Sequence, residues 1–222
     1  MIQYVLEIEL KSETVFGSGH SVPGMVDQEV LYDDYGFPYM KGKTVKGKLK
    51  EEVAHVLWCL SKGKRGMANP LIDDLFGAPA SDTAAVLRFS DLCMDETVRQ
   101  MFVKKIQAGD FEAKEILNAS TEIRSFTGID YEKGVAKKGS LRRVRVIRKG
   151  LYFYSHIFPG RDLSSLEEDI MGIAAASLKH LGTMETRGMG YVSCRLMKGQ
   201  ENLTDQSMIR LREGILDGIS VL

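Results

Sequence analysis

The chain has little cysteine, no long apolar run and no net charge. Its three cysteines, Cys59, Cys93 and Cys194, are odd in number and far apart, and they form no CxxC pair. This spacing argues against a disulfide framework and against a zinc site, so we expect reduced, packed thiols. No apolar stretch approaches the roughly 18 residues that a membrane helix requires. The N-terminal MIQYVLEIEL carries two glutamates and does not resemble a signal or transit peptide. These absences predict a cytoplasmic protein with no membrane partner.

Charge is balanced overall but unevenly distributed. Thirty basic residues offset thirty acidic ones in 222 residues, so the net charge excludes only a uniformly basic nucleic-acid coat. Five lysines lie within ten residues, from Lys41 to Lys50, and seven Lys or Arg with no acid lie between Gly134 and Gly150. Two such stretches can carry a local phosphate track on a neutral protein.

Hydrophobic periodicity and turn signals predict the elements of the fold. In order they are a strand at 2–10, a helix at 44–60, strands at 84–94 and 141–158, a helix from Ser164 or Ser165, a strand at 191–197 and a short terminal helix at 203–216. Three insertions separate them: a lid at about 61–82, a helical segment at about 95–120 and a hairpin at about 121–145. The remaining order, strand, helix, strand, strand, helix, strand, predicts an α+β, ferredoxin-like (RRM-like) core, which we expect to form a single domain over 1–222.

The lysine-rich segment that opens the first predicted helix is one candidate site. Residues 42–49, GKTVKGKL, nearly satisfy the P-loop pattern GxxxxGK[ST], but Leu49 stands where a hydroxyl must ligate magnesium. We therefore favour a phosphate-binding site without nucleotide hydrolysis, because the free N–H groups and the dipole of a helix N-terminus both attract phosphate. A solvated, charged helix face is the alternative. The candidate contacts are Lys41, Lys43, Lys46 and Lys48.

A glycine-rich loop near the C-terminus is a second candidate. Residues 181–192, LGTMETRGMGYV, join the last helix of the predicted core to its last strand. Glycines allow a backbone to approach a phosphate or a base closely, and an arginine adds a charge-assisted contact. The candidate contacts are Gly182, Thr186, Arg187 and Gly188. A plain helix cap at Gly182 with a tight turn at Gly188 is the alternative.

A single carboxylate follows a first glycine-rich segment, FGSGHSVPGMVD, which ends at Asp27. Near a bound phosphodiester, such a carboxylate can hold Mg²⁺ or another divalent cation, or help to deprotonate an attacking hydroxyl. An ordinary turn aspartate is the alternative.

The basic stretch at 124–148 completes the set of candidates. It places Arg124, Arg142 and further Lys and Arg residues around turn glycines. This composition is typical of a projecting basic hairpin, which can wedge between the nucleotides of a single strand. A disordered basic loop is the alternative.

Taken in order, these segments resemble the RAMP superfamily of CRISPR-associated proteins. Its members share a glycine-containing segment ending in Asp, a D-x-x-G-x-P-x-x-x-G-x-x-x-K-G pattern, an F-G and an S-D pair, an I-D-x-x-x-G-x-A stretch and a C-terminal glycine-rich loop. The matching segments are FGSGHSVPGMVD, Asp33 to Gly47, Phe76-Gly77 with Ser90-Asp91, Ile129 to Ala136, and TRGMGYV. Lys41 and residues 43–45 depart from the family's usual proline and serines.

The resemblance implies a repeated backbone subunit of a type III effector complex. Its partners would be guide RNA, target RNA, other CRISPR effector subunits and further copies of itself in a helical filament, with the hairpin as a thumb that displaces a guide nucleotide. It also implies that Lys46, its neighbours and Arg187 contact the guide backbone, and that Asp27 supports metal-dependent cleavage of the paired target RNA. A non-catalytic, architectural RNA-binding subunit is the alternative. A small-molecule enzyme that uses the P-loop-like turn is a third interpretation.

Overall fold

This computed structural model describes residues 3–61, 68–78 and 85–214. These residues form nine β-strands and six α-helices. The strands are β1 (Tyr4–Leu10), β2 (Leu87–Phe89), β3 (Thr121–Phe126), β4 (Ile129–Asp130), β5 (Val135–Ala136), β6 (Arg142–Ile147), β7 (Tyr152–Pro159), β8 (Val192–Lys198) and β9 (Glu201–Asn202). The helices are α1 (Gly42–Leu60), α2 (Ala68–Phe76), α3 (Glu96–Gln107), α4 (Ala113–Ser120), α5 (Ser165–Ser177) and α6 (Leu203–Glu213). Among the described helices, none has both the length and the apolar character of a membrane span.

An antiparallel sheet with the strand order β2-β7-β1-β8-β9 forms the centre of the fold. Along the chain, the core elements follow as β1, α1, β2, β7, α5 and β8. The first core strand, β1, lies between the third, β7, and the last, β8, and β2 pairs with the outer edge of β7. This is the split βαβ arrangement, and it confirms the predicted α+β, ferredoxin-like fold.

The core lies on one face of this sheet. In β1, buried and half-buried residues alternate, and Leu6 and Ile8 are fully buried. Helix α1 presents a buried stripe that includes Val45, Leu49 and Val53, and it packs against α5. Each such side chain stabilises the fold by about 1.5–3 kcal/mol relative to an exposed one. The apolar faces predicted for β1 and α1 are therefore buried in the core.

Helix α5 begins where its capping signature predicts. Ser164 is the N-cap: its hydroxyl accepts the N–H of Glu167, and the Glu167 carboxylate accepts the N–H of Ser164 at 2.7 Å. Buried Asp169 then accepts hydrogen bonds from Ser207 and Arg210, which fastens α6 to α5. The terminal helix predicted at 203–216 accordingly ends at Glu213 within the described residues.

Three predicted segments differ from the structure. The lid at 61–82, expected to be irregular, contains the nine-residue helix α2; its other residues lie largely outside the described ranges. The strand predicted at 84–94 is only three residues long, β2. The strand predicted at 141–158 is two strands, β6 and β7, because a turn at 148–151 reverses the chain and Gly150 donates its N–H to Leu10 O at 2.7 Å. Periodicity did not reveal this turn because apolar residues flank it on both sides.

The other two insertions are a helical pair and a projecting ribbon. Helices α3 and α4 occupy the segment at 95–120. Strands β3 and β6 pair from Thr121–Ile147 out to Phe126–Arg142, and the short β4 and β5 continue the ribbon toward its tip. The tip exposes large apolar side chains, among them Ile129 and the almost fully exposed Tyr131 (98%).

The cysteines are free, as expected, but they are not all packed. Cys194 is buried and Cys93 half-buried, whereas Cys59 is exposed near the C-terminal end of α1. Burial raises the pKa of the Cys194 thiol to about 12. Cys194 is therefore a protonated, apolar core residue at neutral pH.

A buried ion pair attaches the ribbon to the segment that follows the first glycine-rich loop. Arg145 Nε lies 2.8 Å from Glu29 Oε1, without the alignment of a hydrogen bond, and both side chains are 7% exposed. Thr121 Oγ1 accepts a further bond from Arg145, and Glu29 Oε1 accepts the N–H of Val30. Neither charge can be removed alone without leaving the other buried and unpaired.

Arg145→Met should therefore lower the free energy of unfolding by about 3–5 kcal/mol, because it leaves Glu29 buried without its partner. Arg142→Met is the matched control, since Arg142 is exposed on the same strand, and we expect a change within about 0.5 kcal/mol. Urea unfolding followed by circular dichroism measures both variants. Equal stability of the two would contradict a structural role for the ion pair.

Candidate functional site

Three segments that are distant in sequence meet at the start of α1 and enclose a cavity of about 230 Å³. Gly17 and Ser18 come from the first glycine-rich segment. Helix α1 and the residue before it contribute Lys41, Thr44 and Lys48, and the C-terminal glycine-rich loop contributes Gly182 and Thr183. We call this cavity the α1 cleft. The two segments predicted to bind phosphate, the lysine cluster and the C-terminal loop, thus line one cavity.

The N-terminus of α1 is not an open anion site, in contrast to the expectation. Lys41 is the N-cap but provides no side-chain cap, and the Asp91 carboxylate accepts the N–H of Gly42 at 2.7 Å. A Cβ at Gly42 would lie 2.6 Å from Ser90 O, so only glycine allows this close approach. Because a carboxylate already occupies the helix start, the positive charge of the cleft comes from lysine side chains and not from the helix N–H groups.

The same contacts argue against the P-loop interpretation. A P-loop needs free N–H groups for phosphate and a hydroxyl for magnesium. Here Gly42 is capped by Asp91, and Leu49, at the hydroxyl position, is a fully buried core residue.

The candidate lysines face different sides of α1. Lys41 and Lys48 line the cleft with Thr44, a spacing of three and four residues that places them on one helix face. Lys43 is exposed outside the cleft lining. Lys46 is turned away: its Nζ donates to Leu87 O at 3.0 Å, and burial, with a smaller contribution from the Lys50 charge, lowers its pKa. Lys46 therefore ties α1 to β2, which corrects the expectation that it faces the same ligand as Lys48.

The C-terminal loop is anchored at its base and exposed at its turn. Thr183 donates its N–H to Val15 O at 3.1 Å, and Leu181 donates to Gly190 O at 2.9 Å. Gly182 has a φ of +90°, and a Cβ there would lie 2.5 Å from Val15 O. Gly182 is thus fixed by its close approach to Val15 and lines the cleft, but it does not cap α5, whose C-cap is Leu178. Thr186 and Gly188 are exposed in the turn.

Two arginines hold the ribbon, one against this loop and one against the segment that follows β1. Arg187 lies over the Phe126 ring at 5.4 Å, at the outer end of β3. Arg124 forms a bidentate pair with Glu13 and also contacts Glu122 at 2.7 Å. Its hydrogen bonds to Glu13 raise the pKa of Arg124 and lower that of the Glu13 carboxyl. Both guanidinium groups therefore have partners within the chain.

Arg142 differs from these two arginines. It is exposed, and no carboxylate within the described residues pairs with it.

Asp27 lies beside the outer part of the β3–β6 pairing, next to a cavity of about 260 Å³ that includes Leu141 and Arg143. Its backbone N–H donates to Arg143 O at 2.8 Å, and its Oδ2 accepts the Arg143 N–H at 2.7 Å. The next residue, Gln28, donates to Thr183 Oγ1 at 3.1 Å. Asp27 is thus exposed, fixed in position and connected to the glycine-rich loop.

Asp27 provides only a small part of a metal coordination sphere. Among the described residues, no three His, Cys, Asp or Glu side chains lie close enough together to hold an ion. A resident divalent cation therefore does not fit. An ion held jointly by one carboxylate and the phosphates of a bound ligand does fit, because Mg²⁺ commonly takes one or two carboxylates and completes its shell with phosphate and water.

The sequence candidates did not include Ser18 and Thr183, which line the cleft, or Glu185, which lies beside it. Glu185 Oε1 lies 3.8 Å from Lys48 Nζ. The loop carries the signal T-x-E, but nothing in the sequence places it against α1.

Comparison with known proteins shows that the sequence profile of the RAMP superfamily matches residues 7–193. No curated protein sequence matches the chain. A chain in the cryo-EM structure of type III-B Cmr-beta bound to cognate target RNA is similar, with a TM-score of 0.61 and 16% identity over 88% of this chain and 97% of that one. A chain of type III-B Cmr-beta in the apo state gives a TM-score of 0.62 and 16% identity over 89% and 98%. At this identity the likeness shows a shared fold.

Gly182→Ala should destabilise the protein by about 2–4 kcal/mol, because it adds a left-handed backbone cost to a collision with Val15 O. Gly188→Ala, with a φ of +76° but open space around it, is the matched control. We expect that control to lose only about 1 kcal/mol. Urea unfolding separates the two, and equal losses would show that the contact with Val15 is not limiting.

Proposed function

The chain belongs to the RAMP superfamily, and on that basis we propose that it is a guide-RNA-binding backbone subunit of a type III CRISPR interference complex in the cytoplasm. The observation that carries the proposal is the convergence of the α1 cleft, the glycine-rich loop, Asp27 and the ribbon on one connected surface. The similar chains come from type III-B Cmr-beta, in one case bound to cognate target RNA. The proposed partners are guide RNA, target RNA, other effector subunits and further copies of this chain in a helical filament.

The guide backbone would enter the α1 cleft. Lys41 and Lys48 supply charge on one wall, while the hydroxyls of Thr44 and Thr183 can donate to phosphate oxygens. The Ser18 hydroxyl already donates to Glu29 O. With a volume of about 230 Å³, the cleft is too small for an RNA duplex but can hold a single phosphate with its sugar. Arg142 on the ribbon would extend the phosphate track.

The ribbon would act as the thumb. Its tip combines exposed Ile129, Tyr131 and Val135 with the cations Lys133 and Lys137. Apolar side chains inserted between bases unstack them at a cost of a few kcal/mol, which additional backbone contacts offset. The clamp between Arg187 and Phe126 would keep the ribbon at a constant angle to the cleft.

Target cleavage would depend on Asp27. The Arg143 N–H holds the carboxylate beside the outer part of the β3–β6 pairing, where a nucleotide displaced by the ribbon tip would expose its phosphodiester. Mg²⁺ bound by Asp27 and RNA phosphate would neutralise charge on the scissile group. The contribution of this chain is to position one carboxylate and to hold the strand beside it.

A non-catalytic, architectural subunit is the second candidate. It is favoured by the lone carboxylate, since the described residues that line the cavity beside Asp27 include no second Asp or Glu. RNA binding is common to both candidates, and only the chemistry at Asp27 separates them.

The two cleft assignments on α1 can be tested with a matched pair of lysine variants. Lys48→Met should weaken binding of a 20-nucleotide single-stranded RNA and reduce the slope of log K against log salt by about 0.7, the loss of one phosphate contact. Lys46→Met, on the other side of the helix, should leave the slope unchanged and act mainly on stability. Fluorescence anisotropy at several salt concentrations provides the measurement. A Lys46 effect equal to that of Lys48 would remove the cleft from the proposal.

Asp27→Asn should retain RNA binding and lower target cleavage by at least about a hundredfold in the reconstituted complex with Mg²⁺. The side-chain oxygen of asparagine can still accept the Arg143 N–H, so the contact between residue 27 and the ribbon should be retained. Asp34→Asn is the control, since Asp34 is an exposed aspartate outside this cavity. Undiminished cleavage by the Asp27 variant would refute the catalytic role, and absence of cleavage by the parent would favour the architectural subunit.

A further inference from the structure

A carboxylate of the chain itself lies at the α1 cleft. Glu185, on the glycine-rich loop, brings Oε1 to 3.8 Å from Nζ of Lys48 on the facing wall. Both side chains are partly exposed, 41% for Glu185 and 34% for Lys48. The negative group thus lies close to the cation that we assign to phosphate.

The backbone holds Glu185 in this place. The preceding residue, Met184, has a φ of +67°, and within the described residues it is the only non-glycine with a positive φ. Met184 packs against the core, and the Gly188 N–H closes the turn onto Glu185 O at 3.0 Å. A left-handed methionine costs about 1–2 kcal/mol, so the surrounding structure must impose this conformation. Because the turn is anchored at both ends, Glu185 remains beside Lys48.

We propose that Glu185 is an internal competitor for the RNA backbone, which limits affinity at the α1 cleft. A phosphate that approaches Lys48 must displace the carboxylate or accept its repulsion. This inference rests on the proposed function, because it assigns Lys48 to the guide backbone.

Every phosphate that enters the cleft meets the same opposition, whether it belongs to a strand or to a free nucleotide. The expected effect of Glu185 is therefore on the affinity for phosphate at Lys48, and the ratio between strand affinity and nucleotide affinity should not change.

A double-mutant cycle with RNA binding as the readout tests this directly. Glu185→Gln should tighten binding of a 20-nucleotide single-stranded RNA by about twofold to fivefold, the range expected for an exposed charge pair. In the Lys48→Met background the same substitution should give no gain. Glu185→Asp keeps the charge but shortens its reach, and it should fall between the parent and Glu185→Gln.

Glu51→Gln is the matched control. Glu51 lies 3.3 Å from Lys48 on the same helix, and its side chain is 69% exposed, compared with 41% for Glu185 on the glycine-rich loop. Glu51→Gln removes the same charge at a position where solvent screens it more strongly, so its gain should be smaller.

The outcomes separate this inference from the proposed function. If Lys48→Met weakens RNA binding but Glu185→Gln leaves it unchanged or weaker, only the role of Glu185 is refuted. An equal gain from Glu51→Gln, or a gain that persists without Lys48, would reduce the effect to general electrostatics and overturn the inference. If the parent binds no RNA, the proposed function itself fails. Thermal unfolding of each variant verifies that the fold is intact.

Discussion

The attachment of the β3–β6 ribbon to residues 27–29 is the interaction on which the candidate site depends. Backbone hydrogen bonds run from Asp27 to Arg143 and from Arg145 to Gln28, and the buried pair of Glu29 and Arg145 lies directly behind them. This short parallel pairing places Asp27 beside the outer part of the ribbon, and Gln28 extends the connection to Thr183. Without it, Asp27 would lose its fixed position, and only the contacts of Arg187 and Arg124 would hold the ribbon.

At this surface, the charge available to a ligand depends more on which basic side chains already have partners than on the net charge of the protein. Several basic residues that look free in the sequence already have partners: Lys46 binds a carbonyl, Arg124 binds Glu13, and Lys48 lies between Glu51 and Glu185. Exposed pairs of this kind are worth little individually and are exchanged readily for phosphate. A neutral protein can thus offer a phosphate track while limiting non-specific contact with polyanions. Thirty acidic residues offset the thirty basic ones, so the basic clusters do not produce a basic molecule.

Much of the fold could be predicted from local pattern. The alternation in β1, the helical spacing in α1 and the capping box at Ser164 each depend on neighbouring residues, so the sequence alone located them to within a few residues. The split of 141–158 into β6 and β7 was not predictable in this way, because it depends on which strands each half joins: β6 pairs with β3 in the ribbon, and β7 pairs with β1 in the sheet.

The sequence by itself determined the ferredoxin-like order of elements, the two basic stretches and the motifs that mark the family, since all of these are properties of residue type and spacing. Only the tertiary structure decided which charges remain available. Asp91 comes from a distant segment to cap α1, Lys46 turns to Leu87 while Lys48 faces the cleft, and Glu185 meets Lys48 across it. The physical reason is that an ion pair or a cap needs two groups within about 4 Å, and for residues far apart in the chain that distance is set by packing.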